Sequence, residues 1–128
     1  MRVLLDTQAF LWWVAADPRL PRKSRDVIRA PANDCLLSMA SVWEMAIKSA
    51  IGKLRLDRPV RPFVRHHVSV NEFELLDIGL AHLGKLGDLP FHHRDPFDRL
   101  IAAQALVEDL ALVSSDRTFA RYGLRRIF

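Results

Sequence analysis

Hydrophobic and polar positions follow one another along this chain in blocks that predict strands and helices in turn. Short continuous apolar runs are typical of buried strands, whereas apolar positions spaced three and four apart are typical of helices. The runs predict strands at 3–5, 35–38, 73–78 and 110–114, with an edge strand at 125–128. Helical patterns cover the region of 12–13 and the segments 22–30, 40–51, 58–68, 80–86 and 95–109, with a helical turn at 118–122. This alternation predicts an α/β fold with a mostly parallel central sheet.

Four acidic residues lie either just after predicted strands or within helical segments that should pack against the core. Asp6 ends the first apolar run, Asp116 follows the last long one, and Glu44 and Asp98 lie in helical segments rich in apolar residues. Ligands of parallel sheets bind beyond the carboxyl ends of the strands. Carboxylates close to a core need compensation, which hard cations such as Mg²⁺ or Mn²⁺ provide through oxygen ligands. The pattern predicts a metal site.

Each of these acids also has a purely structural interpretation. Asp6 can cap the helix that follows it, a common role of aspartate after a strand. Asp116 can cap the turn at 118–122 in the same way. Glu44 can pair with Lys48 four residues later, on a helix surface, for roughly 0.3–0.5 kcal/mol. These alternatives remain open at the level of sequence.

Asp98 is set apart by its neighbour Asp95. Asp95 precedes Pro96, and a cap residue followed by proline is typical of a helix start. Asp98 then falls in the first turn of a helix that is apolar almost all round and should therefore be buried. Since Asp95 suffices as the cap, Asp98 is the stronger site candidate, although Asp95 is close enough to assist it.

Composition fits one soluble domain spanning residues 1–128, which we expect in the cytoplasm and not in a membrane. The single cysteine, Cys35, excludes an internal disulfide and argues against a cysteine-based zinc site. Net charge is +4, from 19 basic and 15 acidic residues; without the four candidate acids, 11 acidic residues remain against the 19. An acidic pocket on a basic body suits a metal-dependent enzyme that acts on a polyanion, and ordinary solubilising charge is the equally weighted alternative.

No nucleophile motif of another enzyme class occurs, neither a nucleophile elbow nor a phosphate-binding loop nor a zinc-protease helix. The histidines lack the paired spacing of zinc ligands; they are His66, His67, His82, His92 and His93. The segment 92–94 precedes Asp95 and is near enough to reach the same crevice, or it simply holds the helix entry. Four basic residues that flank the acids are candidates for contacts to substrate phosphates: Lys48, Arg94, Arg99 and Arg117.

Taken in order, these motifs resemble those of PIN-domain proteins, specifically the VapC-type toxins of type II toxin–antitoxin pairs. The resemblance rests on Leu4-Leu5-Asp6-Thr7, on Ser41-Val42-Trp43-Glu44 with Lys48, on the run from Asp95 to Ala105, and on Ser115-Asp116 followed by Phe119. It extends over essentially the whole chain.

The resemblance implies a PIN-like three-layer fold with a five-stranded, mostly parallel sheet, and a ribonuclease that depends on Mg²⁺ or Mn²⁺. It assigns Asp6, Glu44, Asp98 and Asp116 as the catalytic and metal-binding acids, and Thr7 as the small hydroxyl residue beside the first of them. Such toxins are usually homodimers that a cognate VapB-type antitoxin inhibits.

Three other functions remain. A nucleic-acid-binding module without catalysis would use the acids only structurally, but the aromatic and basic segments of a dedicated RNA reader are absent. A metal-dependent DNA nuclease would share the acidic pocket and would need a longer chain. A phosphatase with an aspartyl nucleophile at Asp6 would carry a second aspartate two residues on, where this chain has Gln8.

Overall fold

A computed structural model describes residues 1–128 as an α/β fold with five strands. The strands are β1 (Arg2–Leu5), β2 (Asp34–Ser38), β3 (Glu74–Leu76), β4 (Ala111–Val113) and β5 (Arg126–Ile127). The helices are α1 (Thr7–Val14), α2 (Arg22–Arg29), α3 (Met39–Ala50), α4 (Val60–Asn71), α5 (Leu80–Asp88) and α6 (Pro96–Val107), with a 3₁₀ helix at Arg117–Tyr122. The predicted fold class and element order are confirmed.

Most elements differ from the prediction by one to three residues at their ends. Strand β3 is shorter than 73–78, because it lies at the edge of the sheet and pairs with β2 only over Glu74–Leu76. Helix α4 begins after Pro59 and runs three residues beyond the predicted 58–68. Helix α5 continues to Asp88, so the loop before α6 is shorter than predicted.

The sheet has the order β3-β2-β1-β4-β5, and every neighbouring pair is parallel. Strand β1 therefore lies at the centre, between β2 and β4. The backbone N–H of Asp6 donates to the carbonyl of Val113 over 3.1 Å, which places this residue directly at the carboxyl ends of β1 and β4. The central position of β1 thus brings the first acid beside the end of the strand that precedes Asp116.

Alternation along the strands divides the core between the two faces of the sheet. Val3 and Leu5 pack in one cluster with residues of α1, α2 and α4, whereas Leu4 packs in a second cluster with α6 and the 3₁₀ helix. Seven consecutive residues of α6, Arg99 to Ala105, are buried. This agrees with the prediction that the helix is apolar all round, and it holds the first turn of α6 against the end of the sheet. No helix has the length and apolar character needed to cross a membrane.

Candidate active site

Three of the four candidate acids line one cavity of about 220 Å³ at the carboxyl edge of the sheet. Asp6 comes from the end of β1, Glu44 from the middle of α3 and Asp98 from the first turn of α6. The first turn of α6 thus reaches the crevice, although this helix precedes β4 in the chain. Among the other residues that line the cavity are Thr7, Lys48 and Lys53.

Asp6 has the structural role that the sequence left open, and it also lines the cavity. Its side chain caps α1, with Oδ1 accepting a hydrogen bond from the N–H of Ala9 over 2.8 Å. Its other carboxylate oxygen accepts no hydrogen bond from the backbone. Burial raises the pKa of Asp6 to about 6, although the Ser114 hydroxyl and the Ala9 N–H partly oppose this, and the negative charges of Glu44 and Asp116 raise it further. The carboxyl group therefore lies close to the other acids in a setting that disfavours its charge.

Asp98 has no structural task of its own. The cap of α6 is Asp95, whose Oδ1 accepts hydrogen bonds from the N–H groups of Phe97 at 2.8 Å and of Asp98 at 3.4 Å. The Asp98 side chain accepts no hydrogen bond from the protein. Burial, followed by the charge of Asp95, raises the pKa of Asp98 to about 7, and Glu44 and Asp6 add to the effect. An acid on a buried helix with no donor beside it is poorly compensated.

Glu44 forms the predicted pair with Lys48 but lies in the interior rather than on a helix surface. Its side chain is buried, with Oε2 2.5 Å from the Lys48 Nζ. The Thr7 hydroxyl donates to Oε1 over 2.7 Å, and the Thr7 oxygen lies 2.8 Å from the Ser41 hydroxyl, from which it accepts. The hydrogen bond to Glu44 also raises the pKa of the Lys48 ammonium. Glu44 is thus held from both sides, in contrast to Asp98.

Asp116 lies near Asp98 and also caps the element that follows it. Its Oδ1 accepts from the N–H of Thr118 at 2.9 Å, and its Oδ2 lies 2.7 Å from Nε2 of His93. Burial would raise the pKa of Asp116, but the hydrogen bonds from His93 and Thr118 outweigh it, so the pKa lies below its ordinary value. One potential ligand atom each of His93, Asp98 and Asp116 lies within 4.8 Å of the others.

His93 is the site residue that sequence reasoning did not assign. Its position shortly before Asp95 indicated only that it can reach the crevice. Its partner Asp116 is 23 residues away in sequence, so no spacing rule relates the two side chains. Lys53 was also missed, because its place beside the cavity depends on the turn that follows α3.

The four flanking basic residues separate into two groups. Lys48 lines the cavity. Arg94 lies in the loop before α6 and Arg117 in the 3₁₀ helix, and both residues are exposed. Arg99 does not fit the predicted contact with phosphate, because its side chain is buried against the loop before α6. Its guanidinium donates to the carbonyls of Leu86, Leu89 and Pro90 at 3.0–3.3 Å. These carbonyls occupy the donors, so Arg99 supports the loop rather than facing the cavity.

The donor set fits a hard divalent cation. Asp6 and Asp98 line one cavity, the charge of Asp6 contributes to the raised pKa of Asp98, and no lysine or arginine forms an ion pair with either of them. Carboxylate oxygens are the ligands that Mg²⁺ and Mn²⁺ take in proteins. A cation among these acids would offset the cost of their burial, which the surrounding hydrogen bonds do not.

Comparison with known proteins identifies the family. The chain matches the PIN domain over residues 3–124, and it belongs to the PIN-domain family. No curated protein matches it significantly.

Solved structures share the fold at low sequence identity. One is VapBC2 from Rickettsia felis bound to a DNA fragment of its promoter, with TM-score 0.73, 18% identity, and coverage of 100% of both chains. Another is DNA-bound VapBC from Salmonella typhimurium, with TM-score 0.68, 19% identity, and coverage of 98% of this chain and 96% of that one. A third is FitAcB from Neisseria gonorrhoeae, with TM-score 0.67, 16% identity, and coverage of 100% and 97%. At these identities the likeness establishes the fold.

Proposed function

We propose that this protein is a metal-dependent endoribonuclease and the toxin of a toxin–antitoxin pair. The observation that carries the proposal is the poorly compensated pair Asp6 and Asp98, which lines a cavity at the carboxyl edge of a PIN-domain sheet. A buried and a half-buried carboxyl group in one cavity cost stability in the absence of a cation. Such an arrangement is expected where the acids serve a reaction rather than the fold.

In this proposal Asp6 and Asp98 hold Mg²⁺ or Mn²⁺, and Glu44 and Asp116 complete the acidic set. A bound cation would lower the pKa of water for attack on phosphorus and would stabilise the charge that develops on the phosphoryl group. The side chains of the protein position the acids for this role. Thr7 orients Glu44, and the caps at Asp6 and Asp116 hold these carboxylates in place through backbone N–H groups.

The substrate side of the cavity is basic. The ammonium groups of Lys48 and Lys53 stand beside the acids, and Arg94 and Arg117 are exposed on the elements next to it. We infer that these four side chains contact backbone phosphates, where positive charge attracts RNA of any sequence. Phosphodiester hydrolysis in the cavity then requires no side-chain nucleophile.

The toxin assignment is supported by the kind of protein that shares this fold over its whole length. The structures named above are VapBC and FitAcB proteins, and a further one is a toxin–antitoxin complex from Klebsiella pneumoniae with TM-score 0.62 and 16% identity. We infer by analogy a VapB-type antitoxin that blocks the cavity, a homodimeric toxin, and action in the cytoplasm.

The test is cleavage of total cellular RNA by the purified full-length chain, freed of any antitoxin. Reactions contain Mg²⁺, Mn²⁺ or EDTA, and the variants are Asp6→Asn, Asp98→Asn and the control Asp88→Asn. Asn at position 6 keeps the oxygen that caps α1 and removes only the charge. Asp88 is exposed at the end of α5, away from the cavity.

We expect cleavage with either metal in the wild type and in Asp88→Asn, and none with EDTA or in the two site variants. Cleavage that continues in EDTA, or in folded Asp98→Asn, would contradict the proposed mechanism. RNA binding without any cleavage would favour a binding module. A parallel assay with single- and double-stranded DNA distinguishes a ribonuclease from a DNA nuclease.

A further inference from the structure

The loop before α6 places the imidazole of His93 beside the acidic cavity, and the function proposed above gives this group no role. The His93 side chain is 9% exposed, although it lies in a loop. Its Nε2 is 2.7 Å from Asp116 Oδ2, and Asp98 offers a carboxylate oxygen within 4.8 Å of both. Asp98 thus belongs to two groups of potential ligands: it lines the cavity with Asp6 and Glu44, and it lies near His93 and Asp116.

We propose that His93, Asp98 and Asp116 form a cation position that takes a first-row transition metal such as Mn²⁺ in preference to Mg²⁺. The proposal adds a metal preference to the proposed ribonuclease. It rests on that function only for the biological purpose of the bound metal. The binding itself is a property of three side chains and needs no substrate.

The preference follows from the chemistry of the donors. Mg²⁺ binds oxygen ligands almost exclusively and keeps several waters. Imidazole nitrogen is a softer donor that first-row transition metals accept readily, and with mixed nitrogen and oxygen ligands their affinities rise from Mn²⁺ onwards along the series. A position with one imidazole and two carboxylates therefore favours Mn²⁺ over Mg²⁺, whereas a position made only of carboxylates discriminates less.

The geometry is compatible with such a position. Adjacent donors of an octahedral ion with bonds of roughly 2.1 Å lie about 3 Å apart. The 2.7 Å between His93 Nε2 and Asp116 Oδ2 is close to that separation. The third ligand atom, from Asp98, lies within 4.8 Å of these two, and no hydrogen bond holds its carboxylate in place.

Tyr122 holds the other side of the imidazole. Its hydroxyl lies 2.8 Å from Nδ1 of His93 and accepts the backbone N–H of the same residue at 3.0 Å. In the metal-free protein Nε2 donates to Asp116; a metal at Nε2 would replace that hydrogen bond and require the tautomer protonated at Nδ1, whose N–H the tyrosine oxygen can accept. Histidine ligands almost always donate their second N–H to an oxygen in this way.

Aromatic packing fixes the plane of the ring independently of Asp116. The His93 ring stacks on Tyr122, with centroids 5.5 Å apart and planes 11° apart, and it packs against Phe119 at 4.6 Å. The ring is therefore oriented toward the acids before any ion binds. Preorganisation of this kind is what a ligand shell needs.

The experiment measures metal binding to the full-length protein without RNA. Mn²⁺ and Mg²⁺ are titrated separately by calorimetry into the wild type, His93→Gln and the neighbouring control His92→Gln. Pulsed electron paramagnetic resonance of bound Mn²⁺ then reports directly whether an imidazole nitrogen is coordinated. Circular dichroism checks that each variant is folded.

We expect a nitrogen coupling on Mn²⁺ in the wild type and in His92→Gln that is absent in His93→Gln. We also expect Mn²⁺ affinity to fall on the order of 10–100-fold in His93→Gln, with a much smaller change for Mg²⁺. Tyr122→Phe should retain the coupling but bind Mn²⁺ about tenfold more weakly, since the ring loses its supporting oxygen.

Absence of the nitrogen coupling in the wild type would overturn the proposal, even if His93→Gln failed to fold. Equal losses of Mn²⁺ and Mg²⁺ affinity in folded His93→Gln would also overturn it. Its failure is distinguishable from failure of the ribonuclease assignment, since Mg²⁺-dependent RNA cleavage tests the latter with no reference to His93. If the protein shows the nitrogen coupling but cleaves no RNA, the proposed metal position would stand and the ribonuclease assignment would fail.

Discussion

Ser38 and Gln104 are joined by a buried hydrogen bond in which the serine hydroxyl donates to the carboxamide oxygen. Ser38 ends β2 and caps α3, the helix that carries Glu44, and Gln104 lies on α6, the helix that carries Asp98. The Gln104 amide donates in turn to the carbonyl of Asp77 over 3.2 Å. One polar network in the core therefore fixes the two acid-bearing helices relative to each other.

Replacing Gln104 with leucine should destabilise the protein by roughly 2–3 kcal/mol, since it leaves the Ser38 hydroxyl and the Asp77 carbonyl without their partner. The measurement is urea unfolding followed by circular dichroism. A double-mutant cycle with Ser38→Ala should give a coupling energy above about 0.5 kcal/mol. Strict additivity of the two substitutions would show that the hydrogen bond does not connect the helices.

Stability of the metal-free protein should fall as pH rises from about 4 to 7. The pKa of Asp6 is about 6 in the folded protein against an ordinary value of 3.8, so the folded state binds more protons in this window. The difference for Asp6 corresponds to about 3 kcal/mol lost once pH exceeds 6. Asp98, with a folded pKa of about 7, acts in the same direction.

The same argument predicts that divalent metal stabilises the protein more at pH 8 than at pH 5. A cation binds the ionised acids, which predominate only at the higher pH, and ligand binding to the folded state raises its stability. Thermal unfolding with and without Mn²⁺ at the two pH values measures this. In Asp6→Asn the metal-free protein should be more stable at pH 8 than the wild type. Equal metal effects at both pH values would argue against binding at these carboxylates.

Thr7→Val should slow RNA cleavage about tenfold, equivalent to roughly 1.4 kcal/mol, with little effect on unfolding. Valine has nearly the same shape but cannot donate to Glu44, so the carboxylate is held only by Lys48. Cleavage rates at saturating RNA provide the measurement. Thr7→Ser keeps the hydroxyl and should retain most of the activity; if serine and valine were equally slow, the hydrogen bond would not be the cause.

Arg99 and Arg117 should respond to substitution in opposite ways. Arg99→Met removes the donors to three carbonyls, one in α5 and two in the loop after it, and should cost roughly 2–4 kcal/mol in the free energy of unfolding. Arg117 is exposed, so Arg117→Met should change stability by less than about 0.5 kcal/mol. It should instead weaken RNA binding and reduce its dependence on salt. Filter binding at several salt concentrations and urea unfolding distinguish the two effects, and a stable Arg99→Met with weakened RNA binding would reverse the assignment.

Local chemistry made much of this protein predictable from its sequence. Strand and helix periodicities depend on neighbouring residues, so the order of elements and the α/β class were predicted correctly. Capping is also local, which is why Asp95 before Pro96 could be assigned to the start of α6. The same reasoning separated Asp98 from Asp95, because a helix needs one cap and the second acid is then left over.

The tertiary structure decided what depends on contacts between distant segments. The strand order places β1 in the centre and so brings Asp6 beside Asp98, which no periodicity determines. Burial of Glu44 follows from the packing of α3 against α1 and α6, whereas its spacing from Lys48 was equally consistent with a surface pair. Arg99 turns toward loop carbonyls, and His93 turns toward Asp116, because these partners become neighbours only when the chain is folded. Side-chain direction and desolvation arise from long-range packing, and they determine which of the predicted residues can act together.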